Sequence, residues 1–323
     1  MREGKYFPFF CQECYIAFRK GEILMVAEQE RESVKTFVII GLGKVGAAVG
    51  HLLRRSGYSI VAVVDSSEDT LRKNITYTGG KACTDIGQLS LQADCFIITT
   101  GDDQIEEACH RLAAHIHSPA VVLHMSGVGN IAMLDAAKRA GAKVGSVHPL
   151  QTFPDVEGAI QNLPGSFFGV TVDPSLETWA EHLVRSLGGI PFFVSDEDRP
   201  LYHAAACVVS NYFVGLLSMA EKIYILLGLD EMEAKKAFWP LLMATMRNID
   251  RKGIVSSLTG PIARGDLGTL KKHMESMEKR IPEVLPLYRA LGQMTADVAR
   301  RQGRLEAEKI AMIKSLLEKG SSS

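Results

Sequence analysis

Residues 36–65 read TFVIIGLGKVGAAVGHLLRRSGYSIVAVVD. An apolar run, 37–40, ends in Gly41-Leu42-Gly43-Lys44-Val45-Gly46. Val45, Ala48, Val49, Leu52 and Leu53 then recur at helical spacing up to a stop at Gly57, and a second apolar run, 60–64, ends in Asp65. Strand, glycine turn, helix, strand, acid is the order of a dinucleotide-binding unit. Gly41 permits the tight turn, Gly43 lets the backbone approach a pyrophosphate, and Gly46 lets the helix pack closely on the strand. The first-turn N–H groups of that helix, at the positive end of its dipole, would face the phosphates. A lone GxGxxG says little; flanking strands and a following acid make the reading specific.

Beyond Asp65 the alternation continues. Apolar runs at 82–83, 95–99, 120–124, 143–147, 167–172 and 191–194 read as strands, with helical patterns between most of them. This predicts an α/β Rossmann domain with a doubly wound, mainly parallel sheet. At Ser195-Asp196-Glu197-Asp198-Arg199-Pro200 the texture changes. From there the period is helical throughout, in 198–227, 230–249 with Glu233 as a capping-box partner, 267–277, 281–301 and 306–318. The expected division is an N-terminal extension at 1–35, a dinucleotide-binding domain at 36–195 and an all-helical substrate and dimerisation domain at 196–320.

The extension has no clear period. Its Cys11 and Cys14 form a CxxC with no second pair or paired histidines nearby, so they read as incidental rather than as a zinc or redox site. Lys20-Gly21-Glu22 can be encoded by a ribosome-site-like string, so for a bacterial source translation is expected to start at Met25. A peptide covering Cys11 in the native protein would refute that start.

Length and composition fit this division. A chain of 323 residues exceeds what one hydrophobic core serves. Hydrophobic content of 46% with 23% charged residues is that of a soluble globular protein. Lys plus Arg, 36, balances Asp plus Glu, 37, which argues against a nucleic-acid or anionic-membrane partner. Six cysteines without regular spacing, and no signal peptide, predict the cytoplasm. The longest uncharged run, 204–220, contains Ser210 and Asn211 and is followed by Glu221 and Lys222, so a buried helix is expected rather than a membrane span.

In an open α/β sheet the ligand lies at the carboxyl ends of the strands. Four loops leave those ends with polar groups. They are 41–46; Thr99, Thr100 and Gly101 with Asp103; His124, Ser126 and Gly127; and His148, Gln151 and Thr152. The first is expected on the pyrophosphate, the middle two along the nicotinamide half and the last at the reactive ring. Asp65, Ser66 and Ser67 would take the adenosine ribose. A carboxylate there accepts from free hydroxyls and repels a phosphate, so NAD is favoured over NADP, while Arg72 and Lys73 keep NADP open. An unperturbed histidine titrates near neutrality, which suits His148 to the proton that accompanies a hydride. The helical domain offers His203, Ser210 and Asn211, and a loop at 258–266 whose Arg264 and Asp266 suit a substrate carboxylate. No ligand spacing supports a metal site at His124, His148 and His203.

The motifs HPLQTF (148–153), YHAAACVVSNY (202–212) and LTGPIARGD (258–266), with GLGKVG, give a resemblance. The chain resembles bacterial Rossmann-like proteins that carry the domain of unknown function DUF2520. These are similar in architecture to pyrroline-5-carboxylate reductase, ketopantoate reductase and the 6-phosphogluconate and β-hydroxyacid dehydrogenases. The resemblance implies an NAD(P)-dependent oxidoreductase, a helical domain that often dimerises, and a substrate in the cleft between domains. The His-Pro at 148–149 also looks like that of prephenate dehydrogenases, whose histidine engages the substrate hydroxyl. Two departures stand out. β-Hydroxyacid dehydrogenases carry a catalytic lysine where this chain has His203, and Asp65-Ser66-Ser67 replaces a Ser-Arg-Ser-like turn.

The combined expectation is hydride transfer between a nicotinamide and a small carboxylate-bearing substrate, a hydroxy, oxo, amino or imino acid. His148, His203, Ser210 and Asn211 would be catalytic, and Gln151, Thr152, Arg264 and Asp266 would hold substrate. A homodimer would form through the helical domain. The alternative is a dinucleotide-binding redox sensor or scaffold without turnover, which the absent lysine favours.

Overall fold

Apolar runs of β-branched and aromatic residues form eight strands of one sheet in the computed structural model, which describes residues 34–89, 93–116 and 119–318. Cys11, Cys14 and the Met25 start lie outside these residues. The strands are β1 Thr36–Ile40, β2 Ser59–Val64, β3 Lys81–Cys83, β4 Cys95–Ile98, β5 Val121–His124, β6 Lys143–Pro149, β7 Phe167–Val172 and β8 Ile190–Phe193, in the spatial order β3-β2-β1-β4-β5-β6-β7-β8. Successive side chains of a strand point to opposite faces. Phe37 and Ile39 accordingly join one core cluster with Leu53 and Leu123, and Val38 and Ile40 join the other with Phe96 and Leu112. Covering both faces requires helices on both. They are α1 Lys44–Arg55, α2 Glu68–Thr78, α3 Ile105–Ala113, α4 Asp135–Arg139, α5 Val156–Asn162, α6 Glu177–Ser186 and α7 Arg199–Val209. Ser67 starts α2 as read from sequence, its Oγ accepting from the Thr70 N–H at 3.2 Å.

The strand order reverses between β1 and β4, which opens a crevice at their carboxyl ends. All pairs are parallel except β6 and β7, where His148 lies opposite Gly169. The link at 150–166, carrying α5, leaves and re-enters the sheet at the same end. That short helix has no clear sequence signal, and it accounts for the reversed strand in an otherwise parallel array.

The described residues fall into two compact units, divided between Ser210 and Asn211. The sequence places the change of texture at 195. Helix α7 stays with the sheet because Arg199 and Tyr202 are tied to strand-end residues. The second unit is helical: α8 Asn211–Leu226, α9 Glu231–Ser257, α10 Gly260–Arg264, α11 Leu267–Arg280, α12 Leu285–Gln302 and α13 Ala307–Glu318. Its core holds Leu270, Met274, Leu285, Ala296, Ile313 and Leu317. The capping box forms, with Asp230 Oδ1 accepting from the Glu233 N–H and Glu233 Oε2 from the Asp230 N–H.

The expectation of a buried helix over 204–220 is corrected. No residue of α8 is buried within the chain, and Val208, Val209, Tyr212 and Val214 are all more than half exposed. By length and hydropathy alone Arg199–Leu226 would cross a membrane. The sequence shows that the stretch is apolar, not what covers it.

Candidate active site

Gly41 takes φ +94°, a conformation that side chains with a Cβ rarely adopt. A Cβ on Gly46 would overlap the Gly41 carbonyl oxygen, so α1 can approach β1 this closely only without one. Gly43 differs: a Cβ there would meet nothing within 4 Å. It faces open space at the start of α1, whose first turn has neither a side-chain cap nor an acidic residue. Bare N–H groups behind a vacant glycine suit a phosphate.

A pocket of about 590 Å³ opens beside this turn, lined among others by Gly41, Gly43, Asp65, Ser66, Thr100 and Gly101. Asp65 Oδ2 accepts from the Leu42 N–H at 2.8 Å and Oδ1 from the Ser67 N–H at 2.9 Å. Each oxygen keeps a lone pair for a ribose hydroxyl. Asn74 donates to the Leu42 carbonyl at 2.8 Å, so α2 holds the glycine turn from below. Among the described residues the wall carries the carboxylates of Asp65, Asp85, Asp103 and Glu107 but a single cation, Arg111, which pairs with Asp85. Arg72, considered as a phosphate partner, pairs with Asp69.

The other expected cofactor residues divide. The Thr100 hydroxyl is buried with no partner among the described residues, so it is available to a ligand. The Thr99 hydroxyl is spent on Gly41 O at 2.5 Å and ties β4 to the turn. Ser67 Oγ is spent as the cap of α2. Lys44 is exposed and Val45 half-buried at the start of α1. The open cradle at Gly43, the orphaned Thr100 hydroxyl and the Asp65 carboxylate fit a dinucleotide.

Further along the same sheet edge His124 is fully buried. Its Nδ1 accepts from the Ser126 N–H at 3.2 Å, which leaves Nε2 to donate to Asn130 O at 3.2 Å. Burial, and then the Arg199 cation, push its pKa down to about 4. Expected to touch cofactor, His124 instead uses both ring nitrogens to shape the loop after β5. Ser126 is corrected likewise: its Oγ accepts from the Gly129 N–H at 2.8 Å.

Gly127 lies in that loop against two imidazoles. A Cβ on it would overlap His203 Nδ1 and stand 2.9 Å from His148 Nε2. The two rings lie edge to face, centroids 5.7 Å apart. His148 Nδ1 is 2.9 Å from the Tyr202 hydroxyl, His203 Nδ1 is buried without a partner, and His203 Nε2 is 3.6 Å from Cys207 Sγ. Burial, with His203, Arg199 and His124 around it, pushes the His148 pKa down to about 3. The expectation that His148 titrates near neutrality is therefore corrected, because its neighbours are cationic or neutral.

Arg199 is the largest fully buried side chain. Its Nε donates to Gly129 O at 2.5 Å, Nη1 to Thr171 Oγ1 at 3.0 Å and Nη2 to Ser126 O. Sequence reasoning passed over it and Tyr202. A signal existed for Arg199: a cation in the first turn of a helix opposes the helix dipole, so it needs a partner elsewhere.

Six proposed catalytic or substrate residues are corrected or left apart. Gln151 is spent locally, donating to Ser166 Oγ at 3.1 Å and accepting from the Thr152 N–H at 2.8 Å, so both residues fold their own loop. Asp266 is the cap of α11: its Oδ1 accepts from the Thr269 N–H at 3.0 Å and its Oδ2 from the Thr269 hydroxyl at 2.7 Å. Ser210 follows the last residue of α7, and Asn211 opens the second unit, where Arg264 is exposed in the last turn of α10. Among the described residues no group of three or more His, Cys, Asp or Glu side chains is placed to hold a metal ion.

Strand order and glycine turn together define a Rossmann-type fold. Residues 26–149 match the Rossmann-like domain and residues 166–295 match DUF2520, the domain of unknown function. The chain carries these two domains in that order. No curated protein matches it. Among solved structures it is similar to protein TM1727 from Thermotoga maritima, at 25% identity and TM-score 0.68, over 83% of this chain and 100% of that one. A candidate NADP oxidoreductase from Bacteroides fragilis shares the fold at 19% identity and TM-score 0.64, over 84% and 99%. So does the pyrroline carboxylate reductase of Plasmodium falciparum, solved with NADP bound, at 13% identity and TM-score 0.54, over 88% and 99%.

Proposed function

We propose that the protein is an NAD-preferring oxidoreductase acting on a small hydroxy, oxo, amino or imino acid. The observation that carries this reading is one continuous polar edge, from Asp65 after β2 to His148 in β6. Four strand spacings separate those two strands, about 19 Å, which is room for two nucleotides end to end rather than one. Bound there, the dinucleotide would supply or accept the hydride. The chain would hold its pyrophosphate at the 41–46 turn and its ribose at Asp65, and present His148 and His203 over Gly127 to the reacting group. The reductase and oxidoreductase names of two fold neighbours support the class. The excess of carboxylates on the pocket wall supports NAD over NADP, because a 2′-phosphate would enter an acidic site. In calorimetric titration at one salt concentration, NADH should bind more tightly than NADPH. Replacing Asp65 by Ser should narrow the gap roughly tenfold. Binding of neither would sink the enzyme reading. Binding without turnover of any such acid would leave a sensor.

The helical unit is proposed to dimerise with a second copy. Helix α8 is apolar around most of its circumference and unburied, and Trp239, Leu241 and Met246 of α9 are also exposed. A membrane is a poorer cover. Because α7 is tied to the sheet, only the 16 residues of α8 remain, about 24 Å of helix against a hydrocarbon core of about 30 Å. Light scattering should give a dimer at micromolar concentration, and a monomer would remove the proposal. The cysteines Cys83, Cys95, Cys109 and Cys207 are free, in keeping with a proposed cytoplasmic location.

A further inference from the structure

We propose that His148 works as a neutral hydrogen-bond donor to the substrate's reacting oxygen or nitrogen, its proton held on Nε2 by Tyr202, and that proton transfer falls to another group. The proposal rests on the oxidoreductase reading of the same site. Tyr202 Oη lies 2.9 Å from His148 Nδ1 and 3.5 Å from the His148 carbonyl, so the nitrogen is the better acceptor for the phenol proton. Gly169 is what lets the phenol reach this place: a Cβ there would stand 2.6 Å from the Tyr202 ring. With Nδ1 accepting from Tyr202, a neutral imidazole must carry its proton on Nε2, the nitrogen beside Gly127.

The surroundings oppose a second proton. The titratable and charged groups that face His148 are His124 from β5 and Arg199, Tyr202 and His203 from α7. Among the described residues none is a carboxylate. Arg199 is held by the carbonyls of Ser126 and Gly129 and by the Thr171 hydroxyl, so its charge stays in place beside the ring. An imidazolium next to a buried guanidinium is unfavourable, and the depressed pKa of His148 agrees with this. A neutral imidazole N–H is a competent electrophile toward a carbonyl oxygen and retains its proton as charge develops. Tyr202 and Arg199 are then positioning residues, the first fixing the tautomer and the second the charge state. His203 Nδ1, unpartnered beside the same glycine, is left to move the proton.

The test needs no substrate. Protein labelled with ¹⁵N in its histidines is followed by long-range ¹H–¹⁵N correlation, with His148 assigned through His148→Gln. The expected result is a neutral ring protonated at Nε2, unchanged from about pH 5 to 9, where an ordinary histidine would titrate near 6.5. Tyr202→Phe should bring in the Nδ1-protonated form, and Arg199→Met should move titration up into the measured range. A Tyr202 that merely packs would alter melting and leave the tautomer as it was. A wild-type midpoint between about pH 6 and 7, or a proton on Nδ1, overturns the proposal. Either result is independent of dinucleotide binding, whose absence would sink the oxidoreductase reading and leave these spectra unchanged.

Discussion

Gly43→Ala should leave the melting temperature unchanged and weaken dinucleotide binding about 10- to 100-fold, the equivalent of roughly 1–3 kcal/mol of steric conflict. The separation follows from what each glycine meets. At Gly43 an added methyl group enters empty space in the unliganded protein, so its cost is felt only when a phosphate arrives. Gly46→Ala is the contrast. Its methyl would press on the Gly41 carbonyl and the Thr99 hydroxyl, so that variant should lose stability before any ligand is added. Thermal melts with calorimetric titration of both variants make the comparison. Normal NADH binding by the Gly43 variant would mean that the turn holds no pyrophosphate.

Arg199→Met should cost roughly 3 kcal/mol or more of stability, because it takes the guanidinium from three buried acceptors at once and leaves Ser126 O only the Ser146 hydroxyl, at 3.3 Å. Ser126 O, Gly129 O and Thr171 Oγ1 all receive from this guanidinium, and the side chain is fully buried, so no water takes its place. For a chain of this size that loss is about 6–12 °C in melting temperature. Arg199→Lys keeps the charge but cannot span three acceptors in the planar fork of an arginine, and should fall between. A drop below about 2 °C for the methionine variant would mean that the loop after β5 is held by something else.

The sheet and the glycine turn were legible because their signals are local. Apolar alternation, Gly41, Gly43 and Gly46 lie within one strand–helix unit, and each glycine's task follows from its own backbone. The histidine cluster was legible only as a list of residues. That His148 sits among Arg199, His203 and His124 depends on β5, β6 and α7 converging, and no spacing within the chain encodes it. Hence the sequence suggests an ordinary titrating histidine where the fold makes a neutral one. Polar residues chosen for their chemistry, Gln151 and Asp266, proved to be serving their own loops, as side chains near turns and helix starts commonly do. Helix α8 failed in the opposite sense. Its apolar character is plain from sequence, whereas its exposure can be seen only when the rest of the chain is in place.

The wiring beneath the glycine turn has a thermodynamic meaning. Leu42 is held through both of its backbone polar groups, its N–H by Asp65 and its carbonyl by Asn74, while Asp65 is held in turn by the Ser67 N–H. A loop fastened this way before a ligand arrives has little conformational entropy left to lose. Affinity at this end of the site is then set by charge and fit rather than by the work of ordering the chain.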